Sequence, residues 1–300
     1  MAVSLERSEK SSWELGEGAE IAPGRSVLKS LGGGSRFEAM LVWDERLHAI
    51  MVAKVLRPDQ AEDDKALREL RKEATALDRL AHPVIVRGFG AVLDGPYPHV
   101  LIEHLEGPTL RRLLRKGGSL ALQQLLPLAL HIASALHYMS AEGMAHLDVK
   151  PDNIVMGVPP RLIDLSIATP LEECRRLRGP IGTDSYMPPE QCIRDSGEIG
   201  SPSDVFGLGA TLSRALMGAK PFPRERGAAE SEDPEVRFPQ LVRGPEPLPD
   251  WVPADLARLI ERMLAHDPGA RPRAADVAEE LEPLVAALPR KMTFGRRRGA

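Results

Sequence analysis

Residues 145–166, AHLDVKPDNIVMGVPPRLIDLS, constrain this 300-residue chain more than any other stretch. Two short apolar runs, residues 154–156 and 161–163, flank a Gly-Val-Pro-Pro turn, which predicts an antiparallel hairpin. The residue entering the first strand and the residue leaving the second then lie side by side, so Asn153 and Asp164 offer two oxygen donors at one point. Hard oxygen donors close together suit Mg²⁺, which takes one or two protein ligands and leaves its other positions to phosphate and water. Just upstream, Asp148 supplies a carboxylate that can orient a hydroxyl and accept its proton, and Lys150 can neutralise a migrating phosphoryl group. Pro151 stiffens the loop that carries them.

A distant pair of charges points the same way. Lys54 sits inside the apolar run AIMVAKVL, where an ammonium is costly to bury without a counter-charge. On a helix drawn over residues 64–81 at about 100° per residue, Leu80, Ala66, Leu77, Leu70, Ala74 and Leu67 share one face. Glu73 falls between Leu80 and Ala66 and is the one acid in that apolar arc, so it is the expected partner of Lys54. In the loop LGGGSRFEAML, Gly32, Gly33 and Gly34 let backbone N–H groups approach phosphate oxygens without obstruction by side chains.

These residues resemble the protein kinases. His146, Asp148, Lys150, Pro151 and Asn153 match the family's catalytic loop, and Asp164 stands at its metal-binding Asp. The resemblance implies that Lys54 and Glu73 form the ion pair holding the α- and β-phosphates of ATP. It makes VLIEHLEGPTL the hinge, with backbone groups of Glu103 and Leu105 meeting adenine and Ile102 guarding the back of the pocket. GPIGTDSYMPPEQ is similar to the end of the activation segment, with Thr183 in the substrate platform and Glu190 closing it. Asp204 would anchor the catalytic loop, and Arg271 would pair with Glu190 as a structural bridge. The likeness spans about residues 27–288 and implies a two-lobed α+β fold, ATP with Mg²⁺ or Mn²⁺, and transfer to protein hydroxyls. Lys150 with Thr183 is the combination of serine/threonine kinases, and the Ala/Arg/Pro-rich, aromatic-poor style resembles that of bacterial members more than animal ones.

Several positions depart from the family. Phe37 replaces the third glycine of the loop, and the Asp-Phe-Gly signature reads Asp164-Leu165-Ser166, where a Cβ at the third place should restrict the backbone. Leu147 replaces the arginine that binds an activating phosphate, and residues 171–182 contain no Ser or Thr. The two absences agree, and activity independent of activation-loop phosphorylation is expected. Arg175, Arg176 and Arg178 read as a solvated charge run that could also attract an acidic partner. The rival readings are a pseudokinase acting as a nucleotide-binding scaffold and a small-molecule phosphotransferase. The first is opposed by the complete set Lys54, Glu73, Asp148, Lys150, Asn153 and Asp164, the second by the peptide platform from Thr183 to Glu190.

The organisation expected is a polar, weakly ordered lead-in (1–24), a strand-rich lobe with one helix (25–103), a mainly helical lobe (104–289) and a basic tail (290–300). Residues 222–251 read as a long surface connection. A 43% apolar composition supports a sizeable core, and a net charge of -4 supplies no general drive toward nucleic acid or anionic membrane. Two cysteines form no disulfide framework, and no apolar run approaches the roughly 20 residues of a membrane span, so the reading is cytoplasmic. The substrate protein and the oligomeric state leave no mark in the sequence.

Overall fold

The computed structural model describes residues 11–193 and 199–289. Residues 1–10 of the expected lead-in and the basic stretch 290–300 lie outside the described residues. The chain divides into two compact units, one holding the chain up to Ala81 with Val86–Leu105, the other His82–Ile85 with the chain from Glu106 onward. His82–Ile85 belongs to the second unit although elements of the first flank it in sequence, a helix over residues 64–79 before it and a strand over residues 88–92 after it. Val84 O accepts from Leu162 N–H at 2.6 Å, and Ile85 O accepts from the Arg161 guanidinium at 3.1 Å.

The first unit is a six-stranded antiparallel sheet in the order β1-β2-β3-β4-β6-β5. Its strands are β1 (Glu20–Ala22), β2 (Arg25–Gly33), β3 (Phe37–Asp44), β4 (Ala49–Leu56), β5 (Gly88–Val92) and β6 (His99–Glu103). Strand alternation sorts the side chains: Met40, Val42, Met51, Ala53 and Val55 join Ile21, Val27 and Leu101 in one buried cluster. Lys54 is thereby placed on the opposite face of β4. Helix α1 (Asp64–Arg79) starts at Asp63, whose carboxylate accepts from Ala66 N–H at 2.7 Å. It buries Ala66, Leu70, Glu73, Ala76 and Leu77, while Leu67 and Ala74, expected on the core face, are half-buried.

The lead-in expected to be weakly ordered up to residue 24 is instead packed from residue 11 onward. Trp13 stands edge-on to Tyr97 with ring centroids 4.8 Å apart and donates its indole N–H to Leu56 O at 2.7 Å. Leu15 and Ala19 cover the same cluster. The large apolar area of an indole outweighs the polarity of its neighbours in sequence. Arg57 adds a polar strap, donating to Ser11 O at 2.5 Å and to buried Glu38 at 2.8 Å.

The second unit is mainly helical: α2 (Leu110–Gly117), α3 (Leu122–Ala141), α4 (Leu171–Cys174), α5 (Pro189–Cys192), α6 (Ser201–Met217), α7 (Pro234–Arg237), α8 (Ala254–Met263) and α9 (Ala274–Ala286). Four two-residue strands, β7 (Met144–Ala145), β8 (Ile154–Val155), β9 (Arg161–Leu162) and β10 (Thr169–Pro170), pair as β7 with β10 and β8 with β9. Helix α3 packs on α6 and α9, and α6 is buried on almost every face, with Ser203, Asp204, Thr211 and Ser213 enclosed among its apolar residues. The expected surface connection 222–251 is pinned to the unit by buried Phe222, Phe238 and Gln240.

Candidate active site

In the first unit, β4 aims Lys54 at α1, and Glu73 takes its ammonium with both carboxylate oxygens, at 2.8 and 2.9 Å. The Glu73 side chain is 3% exposed and that of Lys54 16%. The buried acid is compensated while the amine stays within reach of a ligand from solvent. Phe37, the residue replacing a family glycine, lies with its ring centroid 4.5 Å from the same Nζ, a cation–π contact. Gly32 and Gly33 close strand β2, paired with Ala39 and Glu38, so the turn itself is only residues 34–36. Gly33 cannot be replaced there without a shift, because a Cβ would stand 2.2 Å from Phe37 O. Ile102 pairs with Val52 and Gly88 within the sheet. Glu103 ends β6 with its N–H on Arg87 O at 3.0 Å and its carboxylate on Arg87 N–H at 2.7 Å, and half-buried Leu105 follows.

In the second unit the loop after β7 carries the proposed catalytic residues. Leu147 has φ +65° and Asp164 φ +66°, a left-handed region that side-chain-bearing residues rarely adopt. The turn at Leu147 is held by Asp204 in the first turn of α6. Its buried carboxylate accepts His146 N–H at 2.7 Å and Leu147 N–H at 2.6 Å. Burial pushes that carboxyl up to about 6, while His146 and the two amide bonds pull the other way. Asp148 N–H reaches His146 Nδ1 at 3.3 Å, which leaves Nε2 to donate to Ile163 O at 3.2 Å and tie the loop to the hairpin.

That hairpin is antiparallel, with Ile154 opposite Leu162 and Val155 opposite Arg161, and Asn153 O accepts Ile163 N–H at 2.9 Å. Asn153 and Asp164 therefore flank its open end. The left-handed residue is Asp164 itself, and Ser166, whose N–H reaches Asp164 Oδ1 at 3.4 Å, has no positive φ. The restriction expected from a Cβ at Ser166 does not arise in this conformation.

Around Asp148 the two carboxylate oxygens differ. Oδ2 accepts from Lys150 Nζ at 2.5 Å and from Asn153 Nδ2 at 3.1 Å, and Lys150 also donates to Thr183 Oγ1 at 2.6 Å. Oδ1 is buried with no hydrogen-bond partner. An orphaned buried carboxylate oxygen is costly unless an incoming group completes it, and a hydroxyl does so while placing its proton for transfer. Asn153 spends its NH₂ on Asp148 Oδ2 and Asp148 O, so its lone-pair oxygen is left for a cation. With the Asp164 carboxylate this makes a two-oxygen set that fits Mg²⁺ completed by phosphate and water.

The activation segment is fastened to this loop by apolar contact. Leu147 is 3% exposed and clusters with Ala145 and Cys174, covered by Ile167, Leu171, Leu177 and Ile199. Gly182 (φ +112°) crosses close to Leu147, where a Cβ would stand 2.9 Å from Leu147 O. Gln191 Nε2 bridges Leu147 O at 3.0 Å and Ile181 O at 2.7 Å. Arg175, Arg176 and Arg178 are exposed, and Arg178 turns back onto Arg175 O and Leu177 O. Glu190 meets Arg271 in two bonds of 2.7 and 2.9 Å, with side chains 4% and 0% exposed.

Sequence reasoning passed over the anchors of the platform beyond Thr183. Asp184 accepts from Arg224 at 2.9 Å and Arg237 at 3.1 Å. Burial alone would raise its pKa, but the hydrogen bonds from Arg237 and Arg224 outweigh it and hold the carboxyl below its ordinary value. Gln240 donates to Asp184 O and Met187 O at 2.8 and 2.9 Å. These partners lie 40 to 56 residues away in sequence, and nothing local announces them. Trp13 was findable, since an indole in a polar lead-in is a candidate anchor wherever a core lies near.

The protein kinase domain family matches residues 25–281. Serine/threonine-protein kinase PknB of Mycobacterium leprae (strain TN) is 31% identical over 259 residues, 82% of this chain and 40% of the relative. Probable serine/threonine-protein kinase PkwA of Thermomonospora curvata is 31% identical over 271 residues, 89% of this chain and 35% of the relative. PknB of Mycolicibacterium smegmatis (strain ATCC 700084 / mc(2)155) is 33% identical over 202 residues, 64% of this chain and 32% of the relative. The chain thus spans about two fifths or less of the length of these curated relatives.

Proposed function

This chain belongs to the protein kinase domain family, and we propose that it transfers the γ-phosphoryl group of ATP to serine and threonine hydroxyls of polypeptides. The observation that carries the reading is Asp148, with one oxygen saturated by Lys150 and Asn153 and the other bare and buried. The acceptor hydroxyl donates to Oδ1, its oxygen attacks the γ-phosphorus, the bond to the ADP oxygen breaks, and the proton passes to Asp148. Lys150, held by Thr183, neutralises charge on the phosphoryl group in flight. Lys54, positioned by Glu73, holds the α- and β-phosphates, and amides of Gly32, Gly33 and Gly34 line them. Ile102, Glu103 and Leu105 meet the adenine. Mg²⁺, or Mn²⁺ in its place, held by Asn153 and Asp164, neutralises phosphate charge when bound.

Activity in this reading requires no phosphate on the activation segment. Its support is Leu147, buried in an apolar cluster with that segment where a phosphate-binding cation would otherwise stand. Thr169 is buried with its hydroxyl on Ile167 O at 2.9 Å, and Thr183 accepts from Lys150. An acidic substitution at either threonine should not restore activity to its Ala variant, and recovery would contradict this part of the reading. A cytoplasmic setting is supported by two buried, unbridged thiols, and burial pushes Cys174 up to about 11 and Cys192 to about 12, away from reactivity. No helix of the described residues is long and apolar enough to cross a membrane.

The test is incubation of the purified chain with Mg²⁺, γ-labelled ATP and a mixture of protein acceptors, followed by phosphoamino-acid analysis. Label on phosphoserine or phosphothreonine is expected. ATP binding without transfer, or label only on a sugar or aminoglycoside, would contradict it.

A further inference from the structure

The platform that presents the acceptor carries more positive charge than its own acids absorb. Thr183 leads within three residues to Ser185 and Tyr186. Lys220, just beyond α6, donates to Ser185 Oγ at 2.8 Å. Arg214, in the last turn of α6, stands against the Tyr186 phenol, and its Nη1 is buried without a hydrogen-bond partner. A cation at a helix C-terminus is ordinarily satisfied by the helix dipole and water. Arg214 is instead drawn inward with one donor unmet, a cost that an incoming acceptor would relieve.

The neighbouring acids are already engaged. Asp184 is shared between Arg224 and Arg237, and Asp152, which lies in the field of Tyr186, is paired with Arg111 at 2.8 Å. Arg214 and Lys220 form no ion pair with an acid among the described residues, and Asp184 acts on Lys220 only through its field. The ammonium of Lys220 lies below its ordinary pKa, through desolvation first and then the charges of Arg224, Arg214 and Arg111, against a weaker opposing pull from Asp184. The cations therefore crowd one another, as they do in a site that awaits an anion.

We propose that this platform selects polypeptides with an anionic side chain, carboxylate or phosphate, within a few residues of the acceptor hydroxyl, and that Arg214 and Lys220 read it. The inference rests on the phosphotransfer reading and adds the substrate class. Arg214 supplies a forked donor suited to either anion, and Lys220 adds a point charge.

The experiment compares kcat/KM of the full chain on synthetic peptides with one serine acceptor flanked by Glu, phosphoserine, Ala or Lys. The Glu or phosphoserine peptide should exceed the Ala peptide by about tenfold, mostly through KM, and the Lys peptide should fall below it. Glu as the best flank identifies carboxylate readout, and a further gain with phosphoserine identifies phosphate readout. Arg214→Gln and Lys220→Glu should each shrink the Glu-to-Ala ratio toward one, and Lys220→Glu should raise the Lys peptide relative to the parent. Lys220 is exposed, so that variant keeps the test alive if Arg214→Gln fails to fold. Equal rates on all four peptides, or preference for Lys, would overturn the inference and leave phosphotransfer intact. No label on any peptide or protein acceptor would overturn both.

Discussion

Two carboxylate–cation pairs, Lys54–Glu73 and Arg271–Glu190, use the same chemistry for different ends, and the difference lies in what surrounds the cation. The five bonds of Arg271 end on both oxygens of Glu190 and on Ala265 O, Pro202 O and His266 O, with its guanidinium carbon 4.9 Å from the Phe206 ring centroid. Its side chain is fully enclosed, and Ser203 adds a bond to Glu190 at 2.8 Å. No ligand can reach it, so it can only hold structure. Lys54 has an equally buried acid beneath it but remains partly open to solvent, as the proposed role in holding phosphate requires. A buried pair with every donor spent inside the protein is a fastener, whereas a pair with its cation left accessible is a tool.

The comparison breaks most visibly when each pair is replaced whole, which avoids stranding a buried charge. Arg271→Met with Glu190→Gln orphans three backbone carbonyls and should lower unfolding free energy by about 3–5 kcal/mol in urea titrations. Lys54→Met with Glu73→Gln should lower kcat/KM by about 10²–10³-fold, as expected for loss of a charge that stabilises phosphate, yet change stability by less than about 1 kcal/mol. Exchange of these outcomes between the pairs would overturn the assignment.

Asp184 is a fastener of intermediate exposure and should show it through pH. Its carboxyl is held below its ordinary value in the folded state, so its stabilisation is present above about pH 4 and is lost as pH falls through the folded pKa. Asp184→Asn should cost about 1–2 kcal/mol near neutrality and flatten the acid limb of stability against pH, read by urea unfolding at several pH values. The smallest effect belongs to Phe37→Gly, which removes the ring over Lys54. A cation–π contact worth about 0.5–1 kcal/mol predicts a change of about two- to fivefold in KM for ATP, with kcat nearly constant.

What was legible in the sequence follows the range of the interactions. The hairpin, with Asn153 and Asp164 at its open end, depends on turn residues and short-range pairing, and Glu73 was visible because a helical period places it in an apolar arc. Arg271 and Glu190, 81 residues apart, became legible only through family resemblance. The clamp on Asp184 and the shift of His82–Ile85 into the second unit depend on partners distant in sequence with no periodic signature. Departures from a motif were the hardest to weigh from letters alone. Leu147, Phe37 and Ser166 each read as a loss, yet Leu147 packs the activation segment, Phe37 covers Lys54, and Ser166 has no left-handed backbone to strain.

The most direct measurement is the single-turnover rate of phosphoryl transfer by Asp148→Asn beside the parent, with ATP affinity and thermal midpoint followed in parallel. The substitution keeps the shape of the side chain and removes the carboxylate whose buried, unpartnered Oδ1 is the proposed acceptor of the hydroxyl proton. The rate should fall by about 10²–10⁴-fold while affinity and midpoint hold. A rate equal to the parent's, in a folded protein that binds ATP, would contradict the account.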